Sequence, residues 1–425
     1  MASFVNTLRT LRATVILLVT IGILLFSTIG SAQPNHAVAD SVAKVWTYPV
    51  LPQDQTQISI LTCGPGNELY SIYGHTAIRV VNRREGIDEV YNYGTFDFET
   101  PFFAWKFARG KLPYYVIRQS FDQFMYEYEV TQRSVTEQVM NLSPKDVKDI
   151  QDFLLNNIRP ENKYYRYDFL FDNCSTRIRD IFERILGNRY QAGTALGTEP
   201  VSFRKILNQY ESNLHWERFG INLLMSDRVD DRMTNRESFF LPDYYMRGLT
   251  TATMDGRLLV GETRTLLSEQ NQYRNTPTNQ PRLIFWVLLL GVLLLSWLPG
   301  KSGWLYYFDV LIFLVIGLLG IFMLFMWFGT NHAVCAWNRN LLWAMPLHVG
   351  FAWLLAKRSE KAGYYARYAN ALLIASFFYG FVAEQEYIVE ITPILLLLFF
   401  RLNAASKVTR WINFKSNFGG RFGRS

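Results

Sequence analysis

Two side chains in this chain could together perform nucleophilic chemistry: Cys174, in "YDFLFDNCSTRIRDIFERIL", and His75, in "SIYGHTAIRV". A thiol attacks as its thiolate, and an unperturbed cysteine with a pKa near 8.5 is only about a few per cent ionised at neutral pH. Asp172 or Asn173 is a natural helix cap, which puts Cys174 in a first turn where free amide groups and the helix dipole favour negative charge. Ile178, Ile181, Phe182 and Ile185 recur at helical spacing, and Cys174 stands four residues before Ile178. The sulfur is therefore expected on the packed face of the helix. Asp172 opposes a second negative charge, and an imidazole within hydrogen-bonding reach would outweigh it. The competing reading is a small apolar residue buried at a helix end, the commonest fate of a free cysteine.

His75 is one of five histidines and follows Gly74 at the start of a strand. Alternation puts His75, Ala77 and Arg79 on one face and Thr76, Ile78 and Val80 on the other. Gly74 removes a side chain just before the ring, which is read here as room for a neighbour or substrate. A third residue should fix the tautomer, and "YNYGTFDF" offers Asn92 and Asp97, with Asn92 preferred. Donors for an oxyanion would be the Cys174 N–H or the hydroxyl of Tyr70 or Tyr73. The competing reading of His75 is a satisfied structural histidine. No metal site is expected, since no second histidine or pair of cysteines stands at ligand spacing from His75.

These residues need a scaffold. "ISILTCGPG", "TAIRVVN", "VYNYGTFDF", "YYVIRQS" and "RSVTEQVMNL" read as strands bounded by turn or polar residues. "SPKDVKDIQDFLLNNI" reads as a helix capped by Ser143 with Pro144 in its first turn, and another helix follows Asp172-Asn173. The expected class is α+β. Of the three cysteines, Cys63 and Cys174 could also bond to each other in an oxidising compartment.

The remainder of the chain is organised by hydropathy. Residues 1–32 carry Arg9 and Arg12, an apolar run over 13–26 and Gly30-Ser31-Ala32, the pattern of a secretory signal or of an uncleaved anchor. A mixed region spans 40–270, a polar linker 271–282, an apolar region 283–402 and a basic tail 403–425. Five apolar spans fall at about 283–299, 304–328, 341–356, 368–383 and 388–400, the shortest being marginal for a crossing. Lys301, then Lys357, Arg358, Lys361 and Arg367, then the tail, form one set of connections. The opposite set holds Arg339 with Glu384, Glu386 and Glu390. The positive-inside rule then puts the mixed region and the loop "TNHAVCAWNRN" outside. That loop could offer Asn338, Arg339 and Asn340 to a substrate at the interface, or it could be an ordinary connection with Trp337 at headgroup level. The net charge of +7 sits largely beside apolar spans, so it reports membrane orientation and gives no support to a nucleic-acid partner.

"ILTCGPGNELYSIYGHTAIRV", "YNYGTFDF", "RGKLPYYV" and "FLFDNCSTR", with "NRNLLWAMPLH" further on, resemble the Lnb family of bacterial lipoprotein N-acyltransferases. The resemblance covers most of the chain from about residue 55. It implies a circularly permuted papain-like (NlpC/P60-type) exported domain, in which the histidine strand precedes the cysteine helix, as His75 precedes Cys174. It implies Cys174 as nucleophile and His75 as base, and it does not assign Asn92. It further implies a multi-pass inner-membrane enzyme, facing the periplasm and needing no cofactor. Such an enzyme would move an acyl chain from a phospholipid, through a Cys thioester, to the N-terminal amine of a diacylated lipoprotein. Tyr73, Asn338, Arg339 and Asn340 are the substrate-binding candidates. The competing functions are a cell-wall peptidase or amidase and a non-catalytic envelope scaffold.

Overall fold

A computed structural model of the chain describes residues 56–269, 278–299, 302–379, 385 and 389–419. The signal segment, most of the 271–282 linker, Glu384, Glu386 and the end of the basic tail lie outside the described residues. What is described is a mixed sheet-and-helix domain followed by a helical region.

The domain is built on seven strands: β1 (Gln57–Cys63), β2 (His75–Asn82), β3 (Ile87–Thr95), β4 (Pro113–Ser120), β5 (Val135–Met140), β6 (Tyr164–Arg166) and β7 (Val260–Leu267). Their order is β7-β5-β1-β2-β3-β4-β6, with every neighbour antiparallel. β1 lies inside the sheet and is buried along its whole length, its polar Gln57, Ser59 and Thr62 included. One face of the sheet places Ile58, Ile60, Ile78 and Val80 in a core with helices α3 (Pro144–Asn157) and α4 (Cys174–Leu186). As the sequence suggests, Ser143 caps α3, its hydroxyl accepting from the Asp146 N–H at 3.2 Å. Two helices come earlier in the chain, α1 (Phe103–Ala108) between β3 and β4 and α2 (Phe121–Val130) between β4 and β5.

The other face carries a buried charge cluster. Arg79 donates to Asp88 at 2.8 and 2.6 Å and to Glu137 at 3.1 Å. Its guanidinium lies 3.3 Å from the centroid of the Phe121 ring. Ser59 completes the group with a 2.6 Å bond to Glu137. Burying such charges is tolerable only because each finds a partner.

In the helical region, Gln280–Trp297, Gly303–Gly329 and Val389–Lys407 are long and apolar enough to cross a membrane. The third expected span is different. Residues 339–342 form a 3₁₀ turn and the helix starts only at His348, ending at Ala356, about 13 Å of rise. Pro346 blocks helix propagation upstream, and the bend packs straight onto the helix Ser302–Gly329. A side chain at Gly320 would meet the Ala344 carbonyl oxygen at 2.0 Å, and one at Gly317 the Val349 nitrogen at 2.5 Å. The fourth expected span is a helix over Lys361–Tyr379, and the fifth begins its helix at Thr392. Asp309 and Arg401 face each other across this region with bonds of 2.6 and 2.7 Å, a pairing expected of charges at apolar depth.

The two regions touch through a restricted set of connections. Arg109 donates to the Gly329 carbonyl at 2.9 Å, and Ser226 N–H to that of Val334 at 2.8 Å. Arg339 pairs with Asp227 at 2.8 Å and Arg218 with Glu390 at 3.1 Å. These are the connections that the distribution of Lys and Arg assigns to the outer side.

Candidate active site

Helix α4 begins where its capping residues dictate. Asn173 accepts from the Thr176 N–H at 2.9 Å, while the Thr176 hydroxyl accepts from the Asn173 N–H at 2.7 Å. The Asn173 amide also donates to the carbonyls of Phe169 and Phe240, both at 2.8 Å, so the helix start cannot drift. Cys174 is the first helical residue, and its side chain is buried with Ile178, Ile181 and Phe182 against the sheet. Asp172, whose charge would oppose a thiolate, is held by Arg177 through bonds of 2.6 and 2.7 Å.

The ladder between β2 and β3 stops at Ile78–Tyr91, and a bulge follows on β3 between Asn92 and Thr95. Here the His75 imidazole and the backbone N–H groups of Thr76 and Ser175 stand at the sulfur and favour its charged form. His75 Nε2 lies 2.7 Å from Asn92 Oδ1. With the amide oxygen accepting, Nε2 carries the proton and Nδ1 is left for the sulfur. Burial alone would push the Cys174 thiol up, but the imidazole charge, its hydrogen bond and the two N–H groups outweigh it and hold the thiol below its ordinary value. Burial likewise pulls His75 down, and the sulfur's charge with the bonds from Cys174 and Asn92 more than restores it. The arrangement favours a thiolate–imidazolium pair.

The other candidates fall in different places. Asp97 accepts from the Glu99 N–H at 2.8 Å in a turn past the strand. Tyr73 donates its hydroxyl to the buried Glu211 and packs on Phe169 and Tyr210, with ring centroids 4.6 and 5.7 Å apart. Asn338 and Asn340 are buried, and both donate to the Leu223 carbonyl, at 2.8 and 3.1 Å. The Asn338 oxygen accepts from the Asn340 N–H and from Gln385 Nε2, and the Asn340 oxygen from Trp343 Nε1. These two amides tie the loop to the domain. Arg339 is committed to Asp227 on one nitrogen, while Nη1 is buried without a hydrogen-bond partner among the described residues.

Gly74 also has another purpose than the one read from the sequence. Its φ is +79°, and a side chain there would meet the Cys63 carbonyl oxygen at 2.6 Å, so the room is taken by backbone. All three cysteines are free thiols. Burial pushes Cys63 up to about 12, against a hydrogen bond from Tyr128. Among the described residues, no group of three or more His, Cys, Asp or Glu could hold a metal ion.

Three features escape a reading of spacing. Thr76 and Ser175 supply the N–H groups at the sulfur, and their hydroxyls are 2.7 Å apart. Tyr165 has a buried hydroxyl with no hydrogen-bond partner among the described residues. A Cβ on Gly94, at φ +91°, would lie 3.9 Å from that hydroxyl and 3.8 Å from Cys174 Cβ, so the glycine keeps a gap between them.

Fold and site define a membrane protein whose α+β domain carries a cysteine–histidine pair. Residues 44–209 match the family model of the Lnb N-terminal periplasmic domain, and residues 272–410 match that of the Lnb transmembrane domain. The chain belongs to the Lnb family, with a periplasmic part and a transmembrane part. No curated protein and no solved structure matches it.

Proposed function

We propose that this protein is a thiol-dependent acyltransferase of the inner membrane, a multi-pass protein moving a fatty acyl chain from a phospholipid to the N-terminal amine of a diacylated lipoprotein. The observation that carries the reading is the line Cys174–His75–Asn92, in which Asn92 holds the ring at 2.7 Å and the ring favours the charged form of the sulfur. An antiparallel sheet bearing the histidine, packed on a later helix that begins with the cysteine, is consistent with a circularly permuted papain-like domain. Membership of the Lnb family supports the choice of substrates.

In this mechanism His75 Nδ1 holds the proton taken from Cys174, and the thiolate attacks the ester carbonyl of the phospholipid. The oxyanion is stabilised by N–H groups at the helix start and by the Tyr165 hydroxyl, which has no other partner. As the C–O bond breaks, His75 returns its proton to the departing oxygen, giving a lysophospholipid and a Cys174 thioester. The lipoprotein amine then attacks the thioester, His75 accepts a proton from it, and the C–S bond breaks to regenerate the thiolate–imidazolium pair. Donor and acceptor are both lipid-anchored, so fixing the catalyst to the same interface confines their encounter.

The test is Cys174→Ser in the full-length protein, with folding checked by thermal melting. The mass of a lipoprotein N-terminus is expected to stay at the diacylated value in the variant and to rise by one acyl chain with the wild type. Continued N-acylation by the variant would end the reading. Release of muropeptides by the wild type, without lipoprotein modification, would favour a peptidase instead.

A further inference from the structure

Strand β3 leaves the site at Thr95 and runs into "FDFETPFFAWKF", an aromatic stretch that the acyl-transfer steps do not use. Its rings connect the sulfur to the membrane helices. At the sulfur end stands Tyr167, whose Cε2 would be 3.7 Å from a Cβ on Gly94, with Cys174 Cβ at 3.8 Å from the same point. Tyr167 stacks on Tyr114 at 4.4 Å, and Tyr114 meets Phe96 at 5.3 Å. Phe96 in turn touches Phe98 at 4.9 Å and Phe103 at 5.8 Å. Phe103 opens the helix Phe103–Ala108, in which no residue is buried.

That helix is seated against the membrane region. Trp105 stacks on Phe325 with centroids 5.6 Å apart. Arg109 donates to the Gly329 carbonyl and its own carbonyl accepts from the Asn331 N–H, both at 2.9 Å. Gly329 ends the helix Ser302–Gly329, and Phe325 lies four residues earlier, about 6 Å below that end. Trp105 thus lies about one turn in from the end of a helix long and apolar enough to cross a membrane. Phe98 and Phe102 are 67 % and 81 % exposed beside it. Phe102 is held at φ +58°, a left-handed conformation that bulky residues rarely adopt. A six-residue helix with outward rings has little stability in water by itself, whereas the apolar surface it presents continues that of a membrane-crossing helix.

We infer that this segment is an acyl-chain track. The helix Phe103–Ala108 sits in the leaflet on the domain's side, and the line of rings from Phe103 through Phe96 and Tyr114 to Tyr167 carries the acyl chain of a phospholipid from that leaflet to Cys174. The inference rests on the acyl-transfer reading for its direction, but binding can be measured without turnover.

The experiment uses the full-length protein with Cys174→Ala, in nanodiscs of phosphatidylethanolamine and phosphatidylglycerol. A fraction of the phosphatidylethanolamine carries a diazirine on its acyl chain. After illumination, adducts are expected on residues 96–107 and on Tyr114. The double variant Phe96→Ser/Phe103→Ser is expected to lower that labelling about tenfold, as removal of two contact rings would. Phe98→Ser, at an exposed ring, gives a smaller loss and keeps the test readable if the double variant does not fold. Adducts confined to residues 280–419, or labelling unchanged in both variants, would overturn the track. Wild-type protein that labels on the track yet transfers no acyl chain would sink the acyl-transfer reading and leave the lipid surface standing.

Discussion

Iodoacetamide should find Cys174 before either of the other two cysteines, and the margin follows from the three environments. The hydrogen-bonded imidazole and N–H groups hold Cys174 below the ordinary thiol value of 9.0. Burial raises Cys335 to about 11 and Cys63 to about 12. At neutral pH the thiolate population of Cys174 therefore exceeds theirs by at least about 100-fold and about 1,000-fold. A thiolate of lower pKa is intrinsically less reactive, with a slope of about 0.4–0.5 per pKa unit, which returns roughly half of each exponent. The net advantage is about tenfold over Cys335 and about 30-fold over Cys63. All three thiols are buried, so exposure gives none of them a large head start. Timed alkylation of the membrane-embedded protein, quenched and read by peptide mass spectrometry over a pH series, measures the three rates together. In His75→Ala only the burial and backbone contributions remain, so the onset of Cys174 labelling should move to higher pH and the advantage should vanish at neutrality. Labelling of the three cysteines at equal rates, or a wild-type rate in His75→Ala, would refute the reasoning.

Two more outcomes follow from the same geometry. Asn92→Ala removes the 2.7 Å partner of His75, a hydrogen bond to a group that becomes charged, worth about 1.5–3 kcal/mol. Acyl transfer should then fall roughly ten- to 150-fold in kcat/KM, with Asn92→Asp recovering part of the loss and KM little changed; an unaltered rate and pH profile would remove Asn92 from the site. Burial raises the Glu211 carboxyl to about 7, above its unfolded value, so the folded state prefers it neutral. Stability should be fullest below about pH 4 and decline as pH rises towards about 7, by up to about 3 kcal/mol. Glu211→Gln should flatten that slope in denaturation curves, and an unchanged slope would show that the carboxylate is compensated.

Much of the local structure was legible in the chain. The Ser143 cap, the apolar stripe behind Cys174 and the strand that opens at His75 are short-range patterns, set by hydrogen bonding and periodicity within a few residues. Which of Asn92 and Asp97 faces the ring was not, because the answer lies in where the β2–β3 ladder ends and β3 bulges. Gly74 looked like an opening and is instead a site of close backbone approach. Tyr165 was indistinguishable among 24 tyrosines, since an unpartnered hydroxyl becomes visible only when burial and neighbours are known.

The same division runs through the membrane region. Hydropathy located the apolar stretches and charge gave their orientation, but a proline and two glycine contacts turned the third span into a bend and a short helix. Asn338 and Asn340 were legible as polar groups in a loop between apolar spans, and only packing revealed that both donate to Leu223. By itself, the sequence determined element types, the segregation of polar and apolar regions and the residue types available for chemistry, because these depend on neighbours along the chain. Tertiary structure alone decided which groups stand beside the sulfur and which rings lie against the apolar helices. Those contacts join residues as far apart as Trp105 and Phe325, and no local preference encodes them.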